Sequence, residues 1–192
     1  MAQRVLVDAN VIASRILTDW LFHLRRCTGG MFTVLWTHDI QAEAIRVMRR
    51  KHPQWPGTAI ETRLKMLEDV VDELIVYPDA DYVFTGSDEG DFHVHAAAVA
   101  GKANYILTDN KPGDITAVPD EEHYEILSSD DFFNLVADSN VQAFVAAAEA
   151  QFDYYSQPGR MSRPIHQALE LAGCPRFAQR VKMTLGEIAQ RR

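Results

Sequence analysis

Cysteine is scarce. Cys27 and Cys174 are the only two in 192 residues, they stand far apart, and no CxxC pair occurs. A disulfide framework or a thiolate metal site is therefore not what folds this chain, and a reduced, cytoplasmic setting suits two isolated thiols. Long apolar runs are missing too. No stretch approaches the roughly 20 residues a membrane span needs. The opening MAQRVLVDAN reaches an acid after a short apolar run, unlike a secretory signal. Positive charge is in deficit: 19 Lys and Arg face 27 Asp and Glu, for a net charge of -8. That balance disfavours a general nucleic-acid binder, which is usually basic. There is no P-loop, no GxGxxG, no GxSxG and no Cys/His pair with nucleophile spacing. Asp8-Ala9-Asn10 also lacks the second acid of the DxD step that aspartyl phosphotransfer uses after a first strand.

What is present is an ordinary globular composition, long enough to bury a core without a disulfide or structural metal. The charge is unevenly spread. Residues 136–192 hold seven Lys/Arg against five acids, so that segment is +2 and residues 1–135 are -10. Divalent cations would account for such an acidic body, because they offset clustered carboxylates.

The pattern along the body alternates. Arg4 to Asp8 is a short apolar run ending in an acid and predicts a buried strand. Apolar residues at helical spacing predict a helix over 11–26, and Phe32 to Trp36 predicts the next strand. Thr37 is a cap for a helix reaching Lys51, and a further helix is expected over 58–71. Glu73 to Tyr77 predicts a strand stopped by Pro78. Ser87 or Asp88 is placed to cap a helix that ends near Gly101. Strands are expected at 105–108 and 124–127, with a polar loop, Asp109 to Asp114, after the first. Strands alternating with helices predict an α/β fold with a parallel sheet covered on both faces. From about residue 137 the pattern is all helix: Val141 to Phe152, closed by Gln157-Pro158-Gly159; a second helix capped by Ser162; a third from Pro175 to Gln190. The expected division is therefore a body over 1–136 and a helical extension over 137–192.

Several acids recur at one kind of place. Asp8 ends the first strand and Asp109 follows the strand at 105–108, and carboxyl ends of parallel strands form the functional edge of such a sheet. Asp91 opens a helix, where a carboxylate gains from the helix dipole. Glu43 falls within the apolar stripe Ile40, Ala44 and Val47, and an acid on a core-facing side must be paired, protonated or bound to metal. Singly, each reads as a turn, cap or rim residue. Jointly, they all reach one edge of the sheet, and such a cluster persists most readily around Mg²⁺ or Mn²⁺, which prefer oxygen ligands. His93 and His95 stand two apart on a helix and so point apart, which makes them poor joint zinc ligands and assigns them structural or surface places. The densest basic run is Arg46, Arg49, Arg50 and Lys51, which reads equally as a solvated face or as a track for RNA phosphates.

The order VLVDAN, the Glu of QAEAIR, DFHVHAAA and ILTDN resembles the PIN-domain nucleases, most closely the VapC-type toxins of prokaryotic toxin–antitoxin pairs. The resemblance covers residues 4–135, and the helical tail is similar to the C-terminal extension some of those toxins carry. It implies a three-layer α/β/α fold and a Mg²⁺- or Mn²⁺-dependent endoribonuclease. Asp8, Glu43 and Asp91 would be ligands, with Asn10 orienting a ligand or the scissile phosphate. The last ligand is Asp109, Asn110 or Asp114, with Asp109 preferred; Asp88 is read as a helix cap. The resemblance further implies an RNA substrate, a homodimer and a cognate antitoxin; the charge map, not the resemblance, assigns the hold on RNA to Arg46, Arg49 and Arg50. The alternative reading is a non-catalytic PIN-like module that binds RNA or protein; a metal-dependent phosphatase is a further rival.

Overall fold

β1 (Gln3–Val7) forms the centre of a five-stranded parallel sheet. Val5, Leu6 and Val7 are all fully buried, which a strand covered on both faces requires and a half-solvated strand would not tolerate. β1 pairs on one side with β2 (Phe32–Trp36) and on the other with β4 (Tyr105–Leu107). β3 (Glu73–Leu74) adds outside β2, and β5 (Glu125–Leu127) adds outside β4. The order is therefore β3-β2-β1-β4-β5. The chain builds outward from β1 to one side, then crosses to build the other. Its switch point lies at the carboxyl ends of β1 and β4, where open α/β sheets place their ligand crevice. This sheet, flanked by helices, is the PIN-like α/β/α arrangement expected from the sequence.

The structure is a computed structural model and describes residues 2–77, 80–157, 159 and 163–191, the last without its side chain. Pro78, Pro158, Arg160 and Ser162, to which the sequence assigns strand, loop, charge and cap roles, lie outside the described residues.

Contacts divide the chain into two units. The first contains Met1–Ala13 and Met31–Ser128, the second Ser14–Gly30 and Ser129–Arg192. In the first unit, α1 (Ala9–Ile12) follows β1, and α3 (His38–Lys51) follows β2. Thr37 caps α3 by accepting the Ile40 amide at 3.1 Å. α4 (Gly57–Glu68) precedes β3, a 3₁₀ turn (Glu89–Asp91) leads into α5 (Phe92–Ala100), and α6 (Pro112–Ile115) follows β4.

In the second unit, α2 (Arg15–Cys27), α7 (Ser129–Ser139), α8 (Val141–Tyr155) and α10 (Pro175–Arg191) share an aromatic core, and α9 (Ile165–Leu171) adds the buried Ile165 and Leu169. Trp20 of α2 meets Phe177 edge-on at 4.8 Å between ring centres and stacks near Phe144 at 6.4 Å. Asp130, buried in α7, accepts the Phe177 amide at 2.7 Å and the Arg176 guanidinium at 3.0 Å, which fixes the start of α10. These contacts join α2 and α7 to the terminal helices. The division thus falls at Ser128/Ser129, where periodicity alone sets it at 136/137.

Three elements differ from their sequence expectation. The helix expected over 11–26 is broken at Ser14, whose backbone is extended at the start of α2. The strand expected over 73–77 pairs only at Glu73 and Leu74, both exposed at the sheet edge. The expected polar loop after β4 contains a helical turn, α6, started by Pro112 and closed by Asp114, whose carboxylate accepts the Lys111 amide at 3.2 Å.

Candidate active site at the carboxyl edge of the sheet

Asp8 leaves the end of β1 as the cap of α1. It is 2% exposed, and both its oxygens are engaged. Oδ1 accepts the Ala9 amide at 2.6 Å; Oδ2 accepts the Thr108 hydroxyl at 2.6 Å and the Asn10 amide at 2.9 Å. Thr108 directly follows the neighbouring β4, as Asp8 follows β1, and the parallel register Val7–Leu107 brings the two residues together. The Asn10 Nδ2 is shared further, reaching Thr108 Oγ1 and Asn110 Oδ1, each at 3.0 Å. Asn110 Nδ2 in turn faces both oxygens of Asp91, at 3.3 and 3.2 Å. A continuous chain of hydrogen bonds therefore runs from Asp8 through Asn10 and Asn110 to Asp91.

Asp91 is held from the other direction. Asp88 caps the 3₁₀ turn by accepting the Gly90 amide at 2.9 Å, and the backbone of Ser87 and Asp88 bonds to Gly113 and Asp114. Gly86 lies so close to α6 that a Cβ there would sit 2.2 Å from the Asp114 carbonyl oxygen, so only glycine lets this segment pass. Val94 and Ala98 bury the face of α5 below Asp91, which is itself 7% exposed.

A cavity of about 760 Å³ opens over this edge, lined by Glu43, Arg46, Asp88, Asp91, His93 and Asn110 among others. Glu43 projects from α3, whose buried stripe is Ile40, Ala44 and Met48, so that the carboxylate stands at the rim with its side chain 30% exposed. Its Oε1 meets Arg46 at 3.3 Å and its Oε2 faces His93 Nε2 at 3.6 Å.

The electrostatics follow from burial and like charge. Burial pushes the Asp8 carboxyl above its ordinary range, and Glu43 adds to the effect against the hydrogen bonds from Thr108 and Ala9. Asp91 is pushed up to about 6, first by burial and then by repulsion from Asp8, with Asp88 and Glu43 contributing and the Asn110 amide opposing. Anionic oxygens thus converge where, among the described residues, no lysine or arginine bonds Asp8 or Asp91, and the exposed Arg46 meets Glu43.

Of the sequence candidates, Asp8, Asn10, Glu43, Asp91 and Asn110 gather here. Asp109 is exposed and meets Asn10 through its backbone amide at 3.3 Å, while Asn110 faces Asp91. Asp114 is engaged with Ser87 and Lys111 in closing α6. Arg49 turns to the Trp55 carbonyl, and Arg50 is exposed. The sequence did not single out Thr108, and it gave His93 a structural or surface place rather than one beside Glu43. Thr108 was legible as a hydroxyl beside the strand-end acid. His93 was not, because its partner Glu43 is fifty residues away. The two histidines do point apart: His95 is buried against the Tyr124 hydroxyl at 2.7 Å.

Among the described residues, no group of three or more His, Cys, Asp or Glu is spaced to enclose an ion as it stands. The donor chemistry nevertheless fits a hard divalent cation: buried carboxylate oxygens, two amide groups and mutual repulsion that a cation would relieve.

The fold and site are those of a parallel α/β protein with acids gathered at the switch point of its sheet. Residues 4–112 match the family model of the PIN domain. The match spans more than half of the 192 residues, and the chain belongs to the PIN-domain family, whose members are generally nucleases that bind RNA and typically use divalent metal. No curated protein and no solved structure matches it.

Proposed function

We propose that this chain is a Mg²⁺- or Mn²⁺-dependent endoribonuclease, and that it is the toxin of a VapBC-type toxin–antitoxin pair, working as a cytoplasmic homodimer restrained by a cognate antitoxin. The observation that carries the catalytic reading is the hydrogen-bonded line Asp8–Asn10–Asn110–Asp91 at the switch point, with Glu43 facing it across one cavity. In this reading Asp8, Glu43 and Asp91 hold the ion. Asn110 completes the set as the residue that faces Asp91, with Asp109 and Asp114 beside it as the alternatives. A bound divalent ion supplies charge neutralisation for the phosphodiester and eases loss of a proton from water.

The protein's own contribution is positional. Asn10 and Thr108 orient Asp8; Asn110 orients Asp91; the short backbone contacts around Gly86 hold the 3₁₀ turn in place. None of these residues needs to form a covalent bond with RNA. Exposed cations on α3 would meet the phosphates.

The test is cleavage of a mixed RNA pool with Mg²⁺ or Mn²⁺, with EDTA, and with Asp8→Asn and Asp91→Asn proteins whose folding is checked by circular dichroism. Activity should vanish in EDTA and in both variants. Wild-type cleavage by Asp8→Asn would return the chain to the non-catalytic reading. The toxin reading requires in addition that the product of an adjacent small reading frame bind the protein and block cleavage.

A further inference from the structure

His93 is the second residue of α5, and the nuclease reading leaves it without a task. Its Nδ1 lies 2.8 Å from the Gly90 carbonyl, which only accepts, so this nitrogen carries the proton. In the neutral ring the lone pair is then on Nε2. That atom is buried, has no hydrogen-bond partner among the described residues, and faces Glu43 Oε2 at 3.6 Å. Two lone-pair donors opposed in this way repel one another unless a cation lies between them. Neighbouring donors on an octahedral ion with bonds of roughly 2.1 Å stand about 3 Å apart, a little less than this pair. His93, Glu43, Asp91 and Asn110 line the same cavity, and Arg46 meets the other Glu43 oxygen.

We propose that His93 Nε2 is a ligand of the divalent ion beside Glu43 and Asp91, and that it turns the site toward Mn²⁺ and the later transition ions rather than Mg²⁺. The proposal rests on the metal-dependent reading given above. Its chemical basis is donor type: Mg²⁺ takes oxygen ligands and gives up water reluctantly, whereas an imidazole nitrogen gains strength along the series from Mn²⁺ to Zn²⁺. The Gly90 carbonyl plays the part that an outer partner commonly plays for a ligating imidazole, fixing the tautomer and the ring plane. An oxygen-only site would have no use for an imidazole whose buried Nε2 faces a carboxylate while its far nitrogen is tied to the backbone one turn away.

The experiment uses the full chain, stripped of metal with EDTA and dialysed, without RNA. Mn²⁺ and Mg²⁺ are titrated separately by calorimetry into wild type, His93→Gln, His93→Ala and, as a control, Asp91→Asn. The Mn²⁺ complex of wild type is also examined by pulsed EPR for coupling to nitrogen. The expected result is nitrogen coupling in wild type, about a tenfold or greater loss of Mn²⁺ affinity in both His93 variants, and a Mg²⁺ affinity changed by less than about twofold. Mn²⁺ bound without nitrogen coupling, or with unchanged affinity in both variants, overturns the proposal and leaves His93 as an ion-pair partner of Glu43. The EPR measurement needs no variant, so a misfolded substitution does not blunt the test. If wild type binds neither ion, the metal-dependent reading itself falls, and this ligand with it.

Discussion

At the scale of single residues, the site is a balance between buried acids and the amides that hold them. Asp91 has a folded pKa of about 6 against an ordinary 3.8, because burial and the neighbouring Asp8 disfavour its charge. A raised folded pKa means that the folded state binds the proton more tightly than the unfolded chain. The stability this contributes is fully present below about pH 4 and is lost as pH climbs toward and through 6. Asp91 lines an open cavity, so water screens part of this effect and the stability involved falls below the full value of the shift. Asp8 acts in the same direction. In EDTA, wild type should therefore lose stability between about pH 4 and 6 in denaturant melts, while Asp91→Asn should show a flatter profile and be the more stable protein at pH 7. Identical pH profiles for the two would mean that Asp91 is not strained by its neighbours. Saturating Mn²⁺ should remove most of the wild-type penalty, since an ion held only by the folded state stabilises it by mass action.

At the scale of elements, legibility followed locality. β1 and the Thr37 cap of α3 were readable because their causes are local: an unbroken apolar run, and a hydroxyl three residues before the amide it accepts. The break at Ser14 was not, because nothing in 11–26 interrupts the apolar spacing; the backbone turns there as the chain passes from β1's unit into the second. In the site, Asp8 and Asp91 were visible as acids at element ends, whereas the choice among Asp109, Asn110 and Asp114 depends on how the turn after β4 folds back, which spacing does not encode. The basic run on α3 also sorts only in three dimensions. Arg46 is drawn to Glu43 and Arg49 to the Trp55 carbonyl, beside the stacked rings of His52 and Trp55 at 4.0 Å. Arg50 and Lys51 are exposed at the end of the helix. Arg50→Ala and Lys51→Ala should each weaken RNA binding and flatten the slope of log K against log salt by about 0.7 for a single strand. Arg49→Ala should instead lower the melting temperature through the loop that follows α3. A double Arg50/Lys51 variant with an unchanged slope would show that this end of α3 never meets the phosphates.

At the scale of the whole molecule, the distribution of charge sets a problem for an RNA-binding chain. The first unit has nine Lys/Arg against nineteen Asp/Glu, a net -10, and it contains the entire candidate site. The second unit's positive charge is partly spent internally: Arg176 bonds Asp130 and Asp131, and Arg180 pairs with Asp138. The tail that looks basic in sequence therefore presents less free charge than its count suggests, since its partners Asp130 and Asp131 lie just before residue 136 and escape a count that begins there. Among the described residues no helix is long and apolar enough to cross a membrane. An acidic unit repels phosphate through its summed field as well as through close contacts. In the metal-dependent reading proposed above, a bound cation would then serve binding as well as chemistry. Without metal, RNA affinity of wild type should fall well below its value in Mg²⁺ or Mn²⁺. Removing a site charge should recover part of the loss: in EDTA, Asp91→Asn should bind single-stranded RNA more tightly than wild type, although it cuts nothing when metal is restored. Fluorescence anisotropy with a labelled RNA at low salt, where the field is least screened, measures both quantities. Equal affinity of wild type and Asp91→Asn in EDTA, with no gain on adding metal to wild type, would show that RNA approaches this protein by a surface that does not sense the carboxylates. The cleavage reading would then have to explain how a scissile phosphate reaches them.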